Sequence, residues 1–597
     1  MIKELNYPFD AQWILKKKKS IRQALLHDEN VSFMEKKIAI LGGSTTNDVK
    51  NILELFLLNY GIKPAFYESE YNQYYEEAMF PNEELEKFAP DLIYFHTSNR
   101  NITEFPTVGE SEEAVEQMLK AAYGKFEAMW ERAADVYHCP IIQNNFEMPY
   151  WRLLGNSDAS SIYGRNNYIE RLNGLFYEYA GKHDNFYIHD IHYESAFYGL
   201  EAWSDPFYWH MYKYALCVPA IPFTAFGIAN IIKSIFGKNK KVISVDLDNT
   251  LWGGVVGDDG AENIEIGQET SVGQTYSEFQ SYLKAQKQLG ILLTVNSKNE
   301  LENALSGLRR PDSVLKEDDF VVIKANWNPK STNLAETASE LNLLPESFVF
   351  VDDNPAEREI VRAGFPLAAV PEITDAEHYI HVLDKSGFFE VTSLSSDDIK
   401  RNEMYQENAK RVQAQAQFEN YEDYLLSLEM RGTIKAFEPQ YMSRIAQLTN
   451  KSNQFNLTTK RYSQSEIEAI AQDKSYITLY GKLEDKFGDN GVVSVVAGKI
   501  ENGVLHIELW LMSCRVLKRD MEFAMMDELA AQCMAAKVEK IIGYYYPTAK
   551  NAMVKEFYGI QGFQKTSEDA EGNTVWEYRL DKGYERKNKV IRVNEDE

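Results

Sequence analysis

The chain has 597 residues, 44% hydrophobic and 26% charged, with 63 Lys and Arg against 90 Asp and Glu. The formal charge of −27 argues against nucleic acid or an anionic membrane surface as the main partner. The length exceeds what one core can serve, so roughly two to four domains are expected. Cys139, Cys217, Cys514 and Cys533 are scattered without a C-x-x-C pair, which points to a reducing cytoplasm and away from a disulfide framework or a zinc site. Lys16–Lys19 is not followed by an apolar run of roughly 7–15 residues, so no secretory signal is expected. No run of about 18 apolar residues suggests a transmembrane span.

The first domain is expected over 1–236. Strand KIAILGG (37–43) precedes Ser44-Thr45-Thr46-Asn47, which reads as the cap of helix NILELFLLNYG. Strand DLIYFHT (91–97), helix 111–134, a strand near 139–144 and helix 164–181 follow, an alternation that implies a parallel sheet. Ser44, between a strand and a helix, resembles the nucleophile block of SGNH-type hydrolases. HTSNRN (96–101) stands where those enzymes carry G-x-N-D, and Asp205 to His210 has the wrong spacing for D-x-x-H. Ser44 is therefore read as a helix N-cap, and the tetralysine as a solvated charge run.

The second domain is expected over 238–388. Strands VISVDLD, ILLTVNS, FVVIKAN and FVFVDDN alternate with helices 274–289, 299–308, 331–341 and 355–363, giving a doubly wound parallel sheet. Residues 389–419 read as a partly helical linker. The third domain, 420–582, mixes helices (441–450, 464–472, 519–536) with strands (476–482, 491–500, 504–511, 538–545, 574–580), an α+β pattern. The tail, 583–597, is charged and expected to fray. The fold class expected is thus α/β multidomain.

Chemistry concentrates in the second domain. Four buried β-formers end in Asp246-Leu247-Asp248-Asn249-Thr250, then the Gly253-Gly254 turn. Ligands of open α/β sheets bind at the carboxyl ends of strands, and carboxylates there suit Mg²⁺ bridged to phosphate. Ser297 ends the second strand, Lys330 (with Lys324 as competitor) follows the third, and Asp352-Asp353-Asn354 ends the fourth. A carboxylate nucleophile, a second acid, a hydroxyl, a lysine and a Mg²⁺ site together make a phosphoryl-transfer centre.

This constellation closely resembles the haloacid dehalogenase (HAD) phosphatase superfamily. The resemblance makes Asp246 the nucleophile and Asp248 the general acid/base. Thr250, Ser297 and Lys330 would hold phosphate, with Lys330 stabilising charge. Asp246, Asp352, Asp353 and the Asp248 carbonyl would form the Mg²⁺ site; the adjoining Lys298 is given no role. Few residues separate Thr250 from the next helix, so no large cap domain is expected and an open site would suit a bulky or protein-borne substrate.

LWGGVVGDDG, QLTNKSNQFNLTTKRY (447–462), KFGDNGVVSVV (486–496) and LMSCRVLKRDME (511–522) narrow the resemblance to the FkbH-like family over most of the chain. That family joins SGNH-like, HAD and GNAT-like domains. It implies a phosphorylated substrate such as 1,3-bisphosphoglycerate and an acyl carrier protein that receives the acyl group. NAMVKEFYGIQGF (551–563), with Asn551 and Tyr558, resembles the closing motif of GNAT acetyltransferases. The Gly-rich pyrophosphate loop is replaced by Arg515-Val-Leu-Lys518-Arg519-Asp520. Cys514, at a strand-to-helix junction beside Arg515, reads either as an acyl-accepting thiolate or as a buried structural cysteine. Arg444, Lys451, Asn453, Gln454 and Asn456 are candidates for the acyl pocket. The competing functions are a plain phosphatase with non-catalytic flanks and a serine esterase acting through Ser44.

Overall fold

A computed structural model describes residues 2–28, 31–415, 417–548, 550–580 and 583–595, excepting the side chains at 409, 412 and 413. The chain divides into two compact units, Met1–Lys238 and Asn239–Glu597. The second takes in both the HAD-like region and the α+β region.

Unit 1 is built on five parallel strands: β1 (Met34–Gly42), β2 (Ile62–Glu68), β3 (Leu92–His96), β4 (Ile141–Asn144) and β5 (Phe186–His189), in the order β2-β1-β3-β4-β5. The order reverses between β1 and β3. β3 and β4 are buried along their whole length, as expected of strands covered on both faces. The apolar helix Ile221–Ile235 packs against helix Asn47–Asn59 in the core on one face. The stretch Val218–Ile235 is long and apolar enough to cross a membrane, with mean hydropathy 1.4, although no such run was expected from the sequence. It is 72% buried inside the unit, so its apolar surface already has a protein partner. Lys18 of the tetralysine is not simply solvated: its Nζ lies 2.8 Å from the Asp48 carboxylate.

Unit 2 contains a four-stranded parallel sheet, β6 (Val242–Val245), β7 (Leu292–Ser297), β8 (Val322–Ala325) and β9 (Phe348–Val351), in the order β8-β7-β6-β9. The central strand β6 is wholly buried. Each Val or Ile there contributes roughly 1.5–3 kcal/mol by leaving water.

The expected linker contains helices Ser396–Ile399 and Arg401–Gln415, and Asp398, Asn402, Tyr405 and Arg411 within them are buried. Beyond it lies a nine-stranded mixed sheet: β10 (Arg431–Lys435), β11 (Phe455–Asn456), β12 (Tyr476–Asp485), β13 (Gly488–Glu501), β14 (Val504–Met512), β15 (Lys540–Tyr545), β16 (Gln564–Glu568), β17 (Thr574–Arg579) and β18 (Arg592–Val593). β14 and β15 run parallel but pair only over Val504–His506 and Lys540–Ile542. Where they part, β11 lies against Leu511 and Met512 of β14. Leu457 then bridges the gap: its N–H donates to Trp510 O (3.1 Å), and its carbonyl accepts from Tyr546 N (2.9 Å).

The tail departs from expectation. Val590 and Ile591 are buried and β18 pairs with β10, because two apolar residues interrupt the charged run and find the sheet edge. Residues 596–597 of that tail lie outside the described residues, as do 581–582 at the domain boundary.

Candidate active site

The carboxyl edge of the four-stranded sheet collects the chemistry. Asp246 follows β6 and Asp352 follows β9, the neighbours between which the strand order reverses; this is where open α/β sheets place ligands. Asp246 N–H donates to Val351 O at 2.9 Å, which ties the two strand ends together. Oxygen atoms of Asp246, Asp352 and Asp353 all lie within 4.8 Å of one another. Lys330, 2% exposed, opens helix Lys330–Glu340 and places Nζ 2.8 Å from Asp246 Oδ2 and 2.5 Å from Asp352 Oδ2.

Buried amides hold Lys330 at that point. Asn296, near the end of β7, donates to the Lys330 carbonyl (2.9 Å), and Asn333, one turn into the helix, donates to Asn296 Oδ1 (3.1 Å). Lys324 is occupied elsewhere, 3.2 Å from Glu336 and 2.5 Å from Glu340. The geometry therefore selects Lys330. Arg358 Nη1 donates to the carbonyls of both Asp352 and Asp353 at 2.8 Å, fixing the loop after β9.

Burial raises the Asp352 carboxyl above the ordinary range, and the Asp246 charge adds to this, while Lys330 opposes both. Asp353 is raised by burial and by Asp246. The Lys330 ammonium is disfavoured by burial, yet Asp246 and Asp352 outweigh that and hold its proton firmly. Three carboxylates thus share one lysine, leaving negative charge for a cation.

Asp248 is placed differently. Its Oδ1 accepts from Trp252 Nε1 (2.9 Å) and Val256 N (3.0 Å), and its Oδ2 accepts from Asn299 Nδ2 (2.8 Å). Burial raises its carboxyl; the Val256 and Trp252 bonds oppose this and Asp246 adds to it. Its carboxylate is not in the three-acid group, so the side chain is not a ligand there. Trp252, fully buried, packs so close to helix Leu301–Leu308 that a Cβ at Gly307 would lie 2.7 Å from the indole. Gly254 has φ +95°, a backbone region that favours glycine, and its N–H donates to Asn249 Oδ1 at 3.0 Å, closing the turn.

Thr250 is fully buried and exchanges hydrogen bonds with Asp353: Oγ1 donates to Oδ1 at 3.3 Å and accepts from the backbone N–H at 3.2 Å. Ser297 is buried at the end of β7. Lys298 pairs with Glu357 at 2.6 Å. Sequence reasoning gave no role to Asn296, Asn299, Asn333 or Arg358. Only Trp252, four residues after Asp248 in a glycine turn, carried a local signal.

Cys514 does not join this site. Asn342 Nδ2 donates to its carbonyl (3.0 Å), its Sγ lies 3.9 Å from Tyr405 Oη, and it packs with Val242, Leu292 and Phe348 at the strand beginnings. The five steps of strand from Lys241 to Asp246 measure about 16 Å. The helix between Lys330 and Asn342 spans about the same distance at ~1.5 Å per residue. Cys514 opens only a single 3-10 turn, Cys514–Val516, and not an α-helix: the next α-helix begins at Met521 after a turn with positive φ at Lys518 and Asp520. Arg444 and Lys451 belong to an ionic cluster with Asp397 and Asp398. Asn453 binds Arg461, and Asn456 is wholly buried under Asn551. Tyr558 is likewise fully buried, against Phe557 and Phe563. Gln454 is half-buried in the same loop.

Ser44 is not a helix cap. The cap position of helix Asn47–Asn59 is Thr46, with no side-chain cap bond, because β1 ends at Gly42 and the four residues 43–46 carry the chain to the helix. Ser44 is 2% exposed and its Oγ has no partner. Asp205 caps its own short helix through Phe207 N (2.8 Å), and His210 is exposed.

The family model of the FkbH N-terminal domain matches residues 37–233. Among solved structures, the N-terminal part of protein BF1531 from Bacteroides fragilis, described as containing a phosphatase domain complexed with Mg, is 30% identical. That alignment covers 63% of this chain and 99% of the other, with a TM-score of 0.59. The ribosomal-protein-S18-alanine N-acetyltransferase of Escherichia coli (10% identity, 28% of this chain and 97% of that one, TM-score 0.20) and Ard1 of Thermoplasma volcanium (18%, 25% and 97%, 0.20) align at a much lower level. No curated protein matches the chain. The chain belongs to the family represented by the BF1531 N-terminal part, and its residues 37–233 match the FkbH N-terminal domain.

Proposed function

We propose that unit 2 is a Mg²⁺-dependent phosphatase acting on a phosphorylated small molecule, with Asp246 as nucleophile. The observation that carries this is the convergence of Asp246, Lys330, Asp352 and Asp353 at the β6/β9 switch point. Three carboxylates within 4.8 Å are the hard oxygen donors that Mg²⁺ prefers, and they would hold it. When bound, Mg²⁺ neutralises charge on the phosphoryl oxygens. An Asp246 oxygen attacks phosphorus as the bond to the leaving oxygen breaks, forming an aspartyl-phosphate. Asp248 is the acid that gives a proton to the leaving oxygen and then takes one from the attacking water. Trp252, Val256 and Asn299 fix where that carboxyl stands. Lys330 binds a phosphoryl oxygen while orienting Asp246 and Asp352, and Ser297 and Thr250 lie at the same edge. The test is phosphate release from a panel of phosphorylated metabolites with Mg²⁺: turnover that persists in Asp246→Asn would overturn the assignment.

A finer reading rests on the FkbH resemblance. It has the protein, in the cytoplasm, transfer an acyl group from a precursor such as 1,3-bisphosphoglycerate through Cys514 to an acyl carrier protein. The roughly 16 Å between the two edges of the sheet means such an acyl group would reach Cys514 in a separate binding event, not from Asp246 directly. Intact-mass analysis of carrier proteins incubated with enzyme and acyl phosphate tests it. Carrier acylation that persists in Cys514→Ala would remove Cys514 from the reading, and phosphate release without acylated carrier or acyl-enzyme would remove the transfer step.

A further inference from the structure

We propose that the basic cluster of Arg401, Arg444, Lys451 and Arg515 is a second, metal-independent site that binds a phosphate-class oxyanion. These residues come from helix Arg401–Gln415, helix Met442–Lys451 and the turn after β14. Asp397 takes Arg444 Nη2 at 3.0 Å and Arg515 Nη2 at 3.3 Å on one oxygen. Asp398 takes Arg401 and, at 3.2 Å, Lys451. Four cations therefore share two carboxylates.

The carboxylates have little left to give. Asp398 also accepts from Gln447 Nε2 (2.6 Å) and Ser395 Oγ (2.8 Å). The Arg444 Nε, wholly buried, has no acceptor. The four cationic side chains retain only 11–29% of their surface, so solvent screens the surplus charge weakly, and an uncompensated buried charge is expensive. Guanidinium groups cannot relieve this by losing a proton. The lysine can, and burial, with Arg401 and Arg444 beside it, brings Lys451 down to about 7 despite Asp398.

The missing acceptor must come from outside. It must carry negative charge and several oxygens. Arg444 already donates through Nη1 to Gln447, and Arg515 through Nε to Ser513 Oγ (3.2 Å) and Nη1 to Met404. The anion therefore shares or displaces these neutral acceptors on two guanidinium forks from different elements, a geometry phosphate offers arginine. A solvent opening remains at Lys451, the most exposed of the four. The cluster is separate from the Asp246 centre: Arg401 Nη1 donates to Gly290 O at 2.8 Å, at the start of β7 and so at the opposite edge of the sheet.

The experiment is calorimetric titration of the full chain with inorganic phosphate in EDTA, which keeps Mg²⁺ from the carboxylate edge. One phosphate should bind. Affinity should fall at least tenfold in Arg444→Gln and in Arg515→Gln and stay unchanged in Asp246→Asn; acetate should bind at least tenfold more weakly. No binding at millimolar phosphate, equal affinity for acetate, or binding lost in Asp246→Asn but kept in Arg444→Gln would each overturn the site. Should the arginine variants fail to fold, Lys451→Met decides: at least threefold weaker phosphate binding is expected, and unchanged affinity overturns the proposal. The Asp246→Asn arm makes failure here distinguishable from failure of the phosphatase reading.

Discussion

The protein carries two parallel sheets whose carboxyl edges can be set side by side, and the two spend their polar groups in opposite ways. At the β6/β9 edge three carboxylates face one lysine, so charge is left over. At the β1–β5 edge polar residues are as densely buried: Ser44, His96, Asn101, Asn144, Glu147 and His189. Most of them find partners within the unit, although Ser44 Oγ and His96 Nε2 have none. Tyr94 Oη donates to Asn144 Oδ1 (2.9 Å), which also takes His189 Nδ1 (2.8 Å), and His189 Nε2 meets Glu194 at 3.0 Å. Burial brings His96 to about 3, with His189 helping, and lifts Glu147 to about 8 although its own and Asn99 backbone N–H groups oppose this. Both are neutral near pH 7. One edge is a hydrogen-bond network of mostly neutral groups, open at Ser44 Oγ and His96 Nε2; the other keeps electrostatic demand that a cation or phosphoryl group can meet. Only the second is poised for charge-transfer chemistry at its own surface, which is why the phosphatase reading rests there and not on Ser44.

That contrast can be broken most directly by exchanging losses. Asp246→Asn should lower phosphate release by at least about a thousandfold, the scale expected when a nucleophile is removed, while Ser44→Ala leaves it within about twofold; equal losses would erase the distinction. The neutrality of the unit 1 edge is tested by urea unfolding of Glu147→Gln against wild type between pH 5 and 9. The folded-state carboxyl titrates at about 8 against an ordinary 4.5, so the folded protein holds the extra proton in that window. Stability of the wild type should therefore fall as pH rises, by up to about 1.4 kcal/mol per unit relative to the variant. Parallel profiles would mean the carboxyl is already ionised. A smaller effect is expected from Trp252→Phe, which removes one donor from Asp248: about a tenfold loss in kcat/KM, with the basic limb of the pH–rate profile, where the Asp248 acid loses its proton, displaced upward. A loss without that displacement would reduce Trp252 to packing. Smallest of all, Lys324→Met should leave turnover within about twofold, because its ammonium is already paired with Glu336 and Glu340.

Much of the carboxylate edge was legible in the sequence because each member closes a strand, and the parallel alternation brings strand ends together. Asp246, Ser297 and Asp352 could be placed that way. The choice between Lys330 and Lys324 could not be made from spacing; it depends on which lysine starts a helix under Asn296. Asn333 and Arg358 were illegible for the same reason, since their partners lie on other elements. Ser44 and Cys514 misled in a common way. Each sits just beyond a strand, but local pattern does not reveal whether the next residues turn directly into a helix. After β1 four residues intervene, and after β14 a 3-10 turn and two positive-φ residues do. The tail misled because charge dominated its composition while Val590 and Ile591 decided its fate.

The wedge formed by residues 455–457 has a consequence for any chain that approaches the β14 edge. The two strands diverge after three pairs, and the backbone groups so exposed would welcome an extended chain. The protein supplies that chain itself, tethered within the loop between helices Met442–Lys451 and Gln464–Gln472. A segment on so short a leash is present at an effective concentration in the millimolar range. A visitor able to pair with Leu511 and Met512 therefore competes with a resident that never diffuses away, and a free peptide of the same sequence added at micromolar concentration should leave the sheet undisturbed.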